Sequence, residues 1–201
     1  MRRKSFSTMA CPIARSLERV GEWWSILILR DAFSGMTRFD EFQASLGIAP
    51  NMLTRRLNAL VEAGLLERRL YSERPPRYEY LLTERGRDFR PVLVAMLAYG
   101  NRHFAPEGAS VQIVDAATGT VADPILVDRA TGRPLTEPDY VLVPGPAAGE
   151  RLRKRLSSPG WSGLLAPDNS PAAPSQAGAR AMSITFSHPC TLGSLKPHLG
   201  R

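Results

Sequence analysis

The apolar positions of this chain repeat at helical spacing up to residue 64, sit in two extended runs from 65 to 82, and return to helical spacing up to about residue 104. Within 50–63, Leu53, Leu57, Leu60 and Val61 recur at three- and four-residue steps, so they form one stripe of a helix. Pro50 at the first helical position and Gly64 just past the end bracket that helix at 50–63. A turn of about 100° per residue puts Asn51, Arg55, Asn58 and Glu62 roughly opposite the stripe, flanked by Thr54 and Ala59. Upstream, Phe39, Phe42 and Leu46 predict a helix over 38–46, with Thr37 as its N-cap and Glu41 near the reciprocal capping position. Gly47-Ile48-Ala49 is the turn between the two helices.

Nearer the N-terminus, Pro12 opens a short helix over 13–20 whose inner side carries Leu17 and Val20. Gly21 separates it from a helix over 23–33 that is apolar on most sides and so should lie between neighbours. Beyond Gly64, residues 65–71 and 77–82 read as paired strands, with residues 72–76 as a tip stiffened by Pro75 and Pro76. Thr83 caps a long amphipathic helix over 84–104, in which Pro91 predicts a kink or a late start. Its apolar face (Val92, Met96 and neighbours) exceeds what one small domain needs, which points to a second subunit, with folding back on the first as the alternative.

The character changes after residue 108. Three short apolar runs, 111–114, 124–127 and 140–143, read as strands, and two similar turns, Asp115 to Gly119 and Asp128 to Gly132, have hairpin chemistry. A basic stretch at 151–156 ends this unit. From residue 157, Pro, Ala, Ser and Gly dominate, which reads as a disordered tail. The expected organisation is a flexible basic start at 1–10, a mainly α domain with a β-hairpin at 11–108, a small β-rich unit at 109–156 and the tail at 157–201.

Charge sharpens this picture. The net charge is +7 and the isoelectric point about 10.0, a balance that suits a polyanionic partner. Residues 1–108 hold 17 Lys and Arg against 12 Asp and Glu, so most of the excess lies in the N-terminal part. Cys11 and Cys190 lie far apart without metal-ligand or redox-pair spacing, which argues against a disulfide framework. Cys11 stands at a helix N-terminus with Arg15 one turn later, a setting that favours a thiolate; packing in an interface is the competing reading. The three histidines are scattered, and no nucleophile elbow, phosphate loop or zinc-protease motif is present, so neither an enzyme nor a metal site or other cofactor is expected. No apolar run predicts a signal peptide or membrane span, so the expectation is a cytoplasmic protein.

Helix, short turn with Gly, second helix, then a hairpin is the order of a winged helix-turn-helix. The outer face of 50–63 offers amides, a hydroxyl and a guanidinium, the groups that hydrogen-bond base edges and phosphates. Candidate contacts with double-stranded DNA are Asn51, Thr54, Arg55, Arg56 and Asn58 on that helix, Thr37 and Arg38 before the first helix, and Arg74 and Arg77 at the hairpin tip. Arg56 lies toward the core side, so anchoring the helix is its alternative role. A protein-interaction module acting through 109–156 is the competing function class.

The motifs together resemble the HxlR-type regulators, a bacterial branch close to the MarR winged-helix proteins. The resemblance runs through Cys11-Pro12-Ile13-Ala14, Gly21-Glu22-Trp23-Trp24, Ile28-Leu29-Arg30-Asp31, Arg38-Phe39-Asp40-Glu41, Gly47-Ile48, Leu53-Thr54-Arg55-Arg56-Leu57, Gly64-Leu65, Arg68, Pro75-Pro76, Tyr78-Glu79-Tyr80 and Leu82 to Gly86. It covers residues 11 to about 104 and implies a homodimeric transcription factor with dimer contacts from the first and last helices of the domain. It further implies that Cys11 occupies a position some members use as a thiol sensor; a small-molecule effector is the other expected input. Glu22 stands where the family usually has Lys, and Ala49 where a Ser or Thr cap is common. The Asp-x-x-Thr-Gly turns look like the zinc knuckles of some relatives without the thiols, so zinc is not expected.

Overall fold

The computed structural model describes residues 5, 9, 11–136, 138–156 and 164–165. The expected flexible start at 1–10 and disordered tail at 157–201, with Cys190, lie almost wholly outside these residues. The order is α1 (Pro12–Val20), α2 (Trp23–Phe33), α3 (Phe39–Leu46), α4 (Pro50–Glu62), β1 (Leu66–Glu73), β2 (Pro76–Leu82), α5 (Glu84–Arg87), α6 (Arg90–His103) and α7 (Glu150–Leu156). This is a mainly helical fold with a two-stranded antiparallel hairpin, the architecture of a winged helix-turn-helix.

The core lies where α2, α3 and α4 meet the base of the hairpin. Ile28 and Leu29 from α2, Phe42 from α3, and Leu53, Leu57 and Leu60 from α4 are fully buried, with Leu66 of β1 beside them. The stripe expected on 50–63 is therefore the face that docks. Ile48 is buried in the turn before α4, and Gly47, at φ +60°, takes the left-handed conformation that ends α3. Trp24 packs against the core, but Trp23 is 75% exposed.

Thr37 is not the cap of α3. That position falls to Arg38, whose side chain makes no capping bond. The backbone N–H groups of Thr37 and Arg38 instead donate to Glu41 Oε2 at 2.8 and 2.9 Å. These bonds, Arg38's the stronger, hold the Glu41 carboxyl below its ordinary range. The Thr37 carbonyl accepts from the backbone N–H of Tyr80 at 2.7 Å, and Arg38 forms an isolated bridge with Glu79. The hairpin is thereby tied to the entrance of α3.

In the hairpin, Leu66 pairs with Leu82 and Leu70 with Tyr78, and a bulge at Tyr71 shifts the register before the Arg74–Pro75 turn. Thr83 closes the hairpin onto the helices. Its hydroxyl donates to the Gly64 carbonyl at 2.7 Å and accepts from the Gly86 N–H at 3.0 Å. Gly86 is buried so close to the chain that an added Cβ would lie 2.1 Å from the Leu65 carbonyl oxygen. Thr83→Ala removes the cap and leaves a helix N–H without its partner, so a loss of about 1–2 kcal/mol is expected, read as a lower urea midpoint at unchanged slope.

Two of the helices differ from expectation. The long helix over 84–104 is two helices, because Pro91 starts α6 afresh after the single turn of α5. Val20 is buried as expected, but Leu17 is 45% exposed.

The strands expected over 109–143 do not form. Each Asp-led turn makes one isolated bridge, Val114 with Val121 and Val127 with Pro134. The two turns repeat with the same bonds: Asp115 N–H to the Thr120 carbonyl and Asp128 N–H to that of Arg133, both at 2.8 Å. Pro124, Pro134, Pro138 and Pro144 withhold the donors a longer ladder needs. The basic stretch after residue 149 is helical, as α7.

In each turn a carboxylate closes the loop. Asp115 Oδ1 accepts from the Ala117 and Thr118 N–H groups and from the Thr118 hydroxyl; Asp128 accepts from the Ala130 N–H, the Thr131 hydroxyl and the Tyr140 hydroxyl. Both carboxyls are held below their usual range, Asp115 chiefly by the Thr118 N–H and Asp128 chiefly by the Ala130 N–H. A lowered folded pKa means that the clasp is complete above the unfolded value of about 3.9 and is lost as pH falls through the folded one. The protection of the Ala117 and Thr118 amides, relative to their intrinsic exchange at each pH, should therefore hold from pH 7 to 5 and fall only below about pH 4. Asp115→Ala, which has no acceptor, should lose that protection at every pH, and Asp115→Asn should keep it without the pH dependence.

Candidate nucleic-acid interface

The burial of Leu53, Leu57 and Leu60 fixes what α4 presents outward. Asn51, Thr54, Arg55 and Asn58 are all exposed, on successive turns of one face. Among the described residues, Asn51, Arg55 and Asn58 carry no side-chain hydrogen bond or ion pair, so their polar groups are available to a ligand. Thr54 donates its hydroxyl proton to the Pro50 carbonyl at 2.9 Å, which leaves its oxygen as an acceptor.

Arg56 points elsewhere. Its Nη2 donates to Glu22 Oε2 at 2.9 Å, joining α4 to the start of α2, and its side chain is only 13% exposed. Adjacent arginines on α4 therefore have different surroundings: Arg55 faces solvent, and Arg56 is held by a carboxylate from 34 residues earlier. The pattern around residue 56 showed that it leans toward the core, but nothing in the sequence marked Glu22 as its partner.

The hairpin supplies the second group of cations. Arg74 and Arg77 flank the Pro75-Pro76 tip, are exposed, and have no hydrogen-bond or ion-pair partner among the described residues. Lower down, the arginines are engaged: Arg69 pairs with Glu79 at 2.8 Å, and Arg68 stacks over Tyr78 with its guanidinium carbon 3.6 Å from the ring centroid. Arg38 lies over the Tyr71 ring at 4.9 Å, beside the hairpin rather than on α4. Thr37 contributes backbone groups to the α3–hairpin junction. Of the candidate contacts, then, Asn51, Thr54, Arg55 and Asn58 share one helix face, and Arg74 and Arg77 stand together at the tip. Arg38, Thr37 and Arg56 belong to the joints between elements. The Arg38–Tyr71 stack had no sequence signal, because it depends on the bulge that turns Tyr71.

A free amide-and-guanidinium helix face beside a cationic hairpin is suited to a duplex: the helix fits the major groove, and arginines meet phosphates or the minor groove. Among the described residues there is no group of three or more His, Cys, Asp or Glu able to hold a metal, and no helix is long and apolar enough to cross a membrane.

Residues 19–108 match the HxlR-like helix-turn-helix family. An uncharacterised HTH-type transcriptional regulator of Mycobacterium tuberculosis, Rv3095, is 40% identical over 141 residues, which is 70% of this chain and 89% of that protein. The chain belongs to the HxlR-like helix-turn-helix family. Two solved structures are similar in sequence and fold. PA1374 of Pseudomonas aeruginosa, described as a candidate transcription factor, is 60% identical with a TM-score of 0.54, covering 72% of this chain and 99% of its own. PA1607, described in the same terms, is 39% identical with a TM-score of 0.61, covering 71% of this chain and all of its own. A uncharacterised HTH-type regulator of Bacillus subtilis, YdeP, aligns over only 94 residues, 73% of its length. As an HxlR-like protein, the chain is a transcription regulator with a DNA-binding winged helix-turn-helix.

Proposed function

We propose that this regulator works as a homodimer that lays the outer faces of two α4 helices in successive major grooves of a specific operator. Asn51, Arg55 and Asn58 read base edges, Thr54 supports them, and Arg74 and Arg77 contact phosphates or the minor groove. The observation that carries this reading is the polar face of α4 and the arginines of the tip, all without a partner among the described residues except for Thr54's bond to the Pro50 carbonyl. Arg38 steadies the hairpin through Tyr71 rather than reading sequence. Acting on the chromosome, the protein works in the cytoplasm.

Dimerisation is inferred from apolar surface that the described residues do not cover. Ile13 and Leu17 of α1 and Val92, Met96 and Tyr99 of α6 are all exposed. The first four border a groove of about 980 Å³ between the two helices and the end of α4. A second copy applied to α1 and α6 buries this face. Signal input acts there, either by oxidation of Cys11, which immediately precedes α1, or by a small ligand in the groove. Either would alter the spacing of the two α4 helices and so the affinity for DNA.

A footprint on a fragment of the protein's own promoter tests the reading. Two protected half-sites on one face, ~34–36 Å apart, are expected. One observation favours the alternative of a protein-interaction module: Ile125, Leu126, Val141 and Val143 are all more than 60% exposed in the segment after α6. That reading predicts no footprint, together with a partner protein lost on mutating these four residues.

A further inference from the structure

Glu22 sits at the junction of α1 and α2, directly before Trp23, and is the N-cap of α2. A carboxylate there would ordinarily accept from the free N–H groups of the first helical turn. This one makes no capping bond and goes to Arg56 instead. Glu22 is 35% exposed and Arg56 13%, so the guanidinium is the more buried member of the pair. Arg56 Nε is buried without a hydrogen-bond partner, so one donor of the guanidinium goes unused to keep it there. Thr54, Arg55 and Asn58, its neighbours in sequence, face outward.

Consider α4 without that carboxylate. Arg56, which leans toward the core, would then lack its partner and swing on its long stem toward the edge of the surface that meets DNA. A guanidinium on a flexible stem, released at such an edge, finds phosphate, and phosphate contacts add affinity without sequence information. Specific binding is a ratio, so an added sequence-independent contact strengthens every competing site.

We infer that Glu22 is a specificity-determining residue: by masking Arg56 it keeps α4 to base-reading contacts and holds down binding to random DNA. This rests on α4 being the DNA-facing helix. Removing the carboxylate raises non-specific affinity, whereas removing the masked Arg56 changes it little.

The test is binding of the full-length protein to a random-sequence duplex from 50 to 300 mM salt, for wild type, Glu22→Gln, Arg56→Ala and the double variant. Glu22→Gln should bind about tenfold tighter at the lowest salt, with the log–log salt slope steeper by about 0.9 for each protomer engaged. The double variant should cancel that gain, and Arg56→Ala should keep the wild-type slope. Arg56→Ala with a shallower slope would mean that Arg56 already touches phosphate, which overturns the proposal. So would a Glu22→Gln protein that melts as wild type does and binds with unchanged or lower affinity, since the pair would then only fix the position of α4. A Glu22→Gln protein that does not fold would also overturn the proposal, since the pair would then be structural first. Wild type without salt-dependent binding to any duplex would overturn the reading of α4 itself, which is a distinguishable failure.

Discussion

Leu17→Asp combined with Met96→Asp should convert the protein to a folded monomer and abolish operator binding. Both side chains are nearly half exposed in the single chain, so the monomer tolerates the change. In a dimer closed over α1 and α6, each carboxylate would be drawn into a mainly apolar seam, where Arg15, Arg19 and Arg85 on the border of the groove offset only part of its desolvation. An unpaired buried charge costs roughly 3–5 kcal/mol, and the symmetry of a dimer brings in four of them. That exceeds what an interface of ordinary affinity can absorb. Analytical ultracentrifugation at micromolar concentration should show one species near 22.1 kDa, the mass of the chain. Helical circular dichroism should be retained. Operator affinity should fall at least ~10³-fold, because a lone domain holds one half-site and loses the benefit of linkage. An unchanged dimer would place the interface elsewhere.

Arg55→Ala should have the next largest effect. Arg55 is the one arginine of α4 that faces outward without a partner among the described residues, so alanine leaves the packing of Leu53 and Leu57 untouched. A side chain that reads a base edge is worth about 1–3 kcal/mol, and the dimer uses it twice, so operator affinity should drop by roughly 30-fold to more than 10⁴-fold. The loss should be concentrated on the cognate sequence, with random-duplex affinity changed far less. Equal losses on both would make Arg55 a phosphate contact. Arg74→Ala at the tip provides the contrast: a uniform, smaller weakening with a salt slope shallower by about 0.9 per contact.

Much of this was legible because the chain is punctuated by Pro and Gly. Pro12, Pro50, Gly47 and Gly64 mark element ends through φ preferences that hold wherever the chain is placed, and α1, α2 and α4 begin at or within one residue of where the pattern puts them. Pro91 gave the late start of α6 for the same reason. Relations across space were less legible. A stripe such as Leu17 on α1 shows that a face is apolar, but not whether the chain itself or another copy covers it. The cap of α3 was misplaced because Thr37 has the side chain of a cap, whereas the bonds come from Glu41 reaching back to two backbone amides.

The segment after α6 was misread for a physical reason. Its valines and isoleucines have strand propensity, but the prolines between them remove ladder donors, so the two turns survive as single bridges closed by Asp115 and Asp128. At the DNA-facing site, periodicity identified Asn51, Arg55 and Asn58 on one face. The fate of Arg56 depended on a residue in another helix, which no local pattern reports.

The most direct test of the central claim is equilibrium binding of the purified protein to its own promoter fragment, against a scrambled duplex of equal length, across a salt series. The prediction is tight binding that prefers the promoter by at least ~10³-fold and falls steeply as salt rises. Equal affinity for both duplexes, or no salt-dependent binding to either, would contradict a regulator that reads its operator through the outer face of α4.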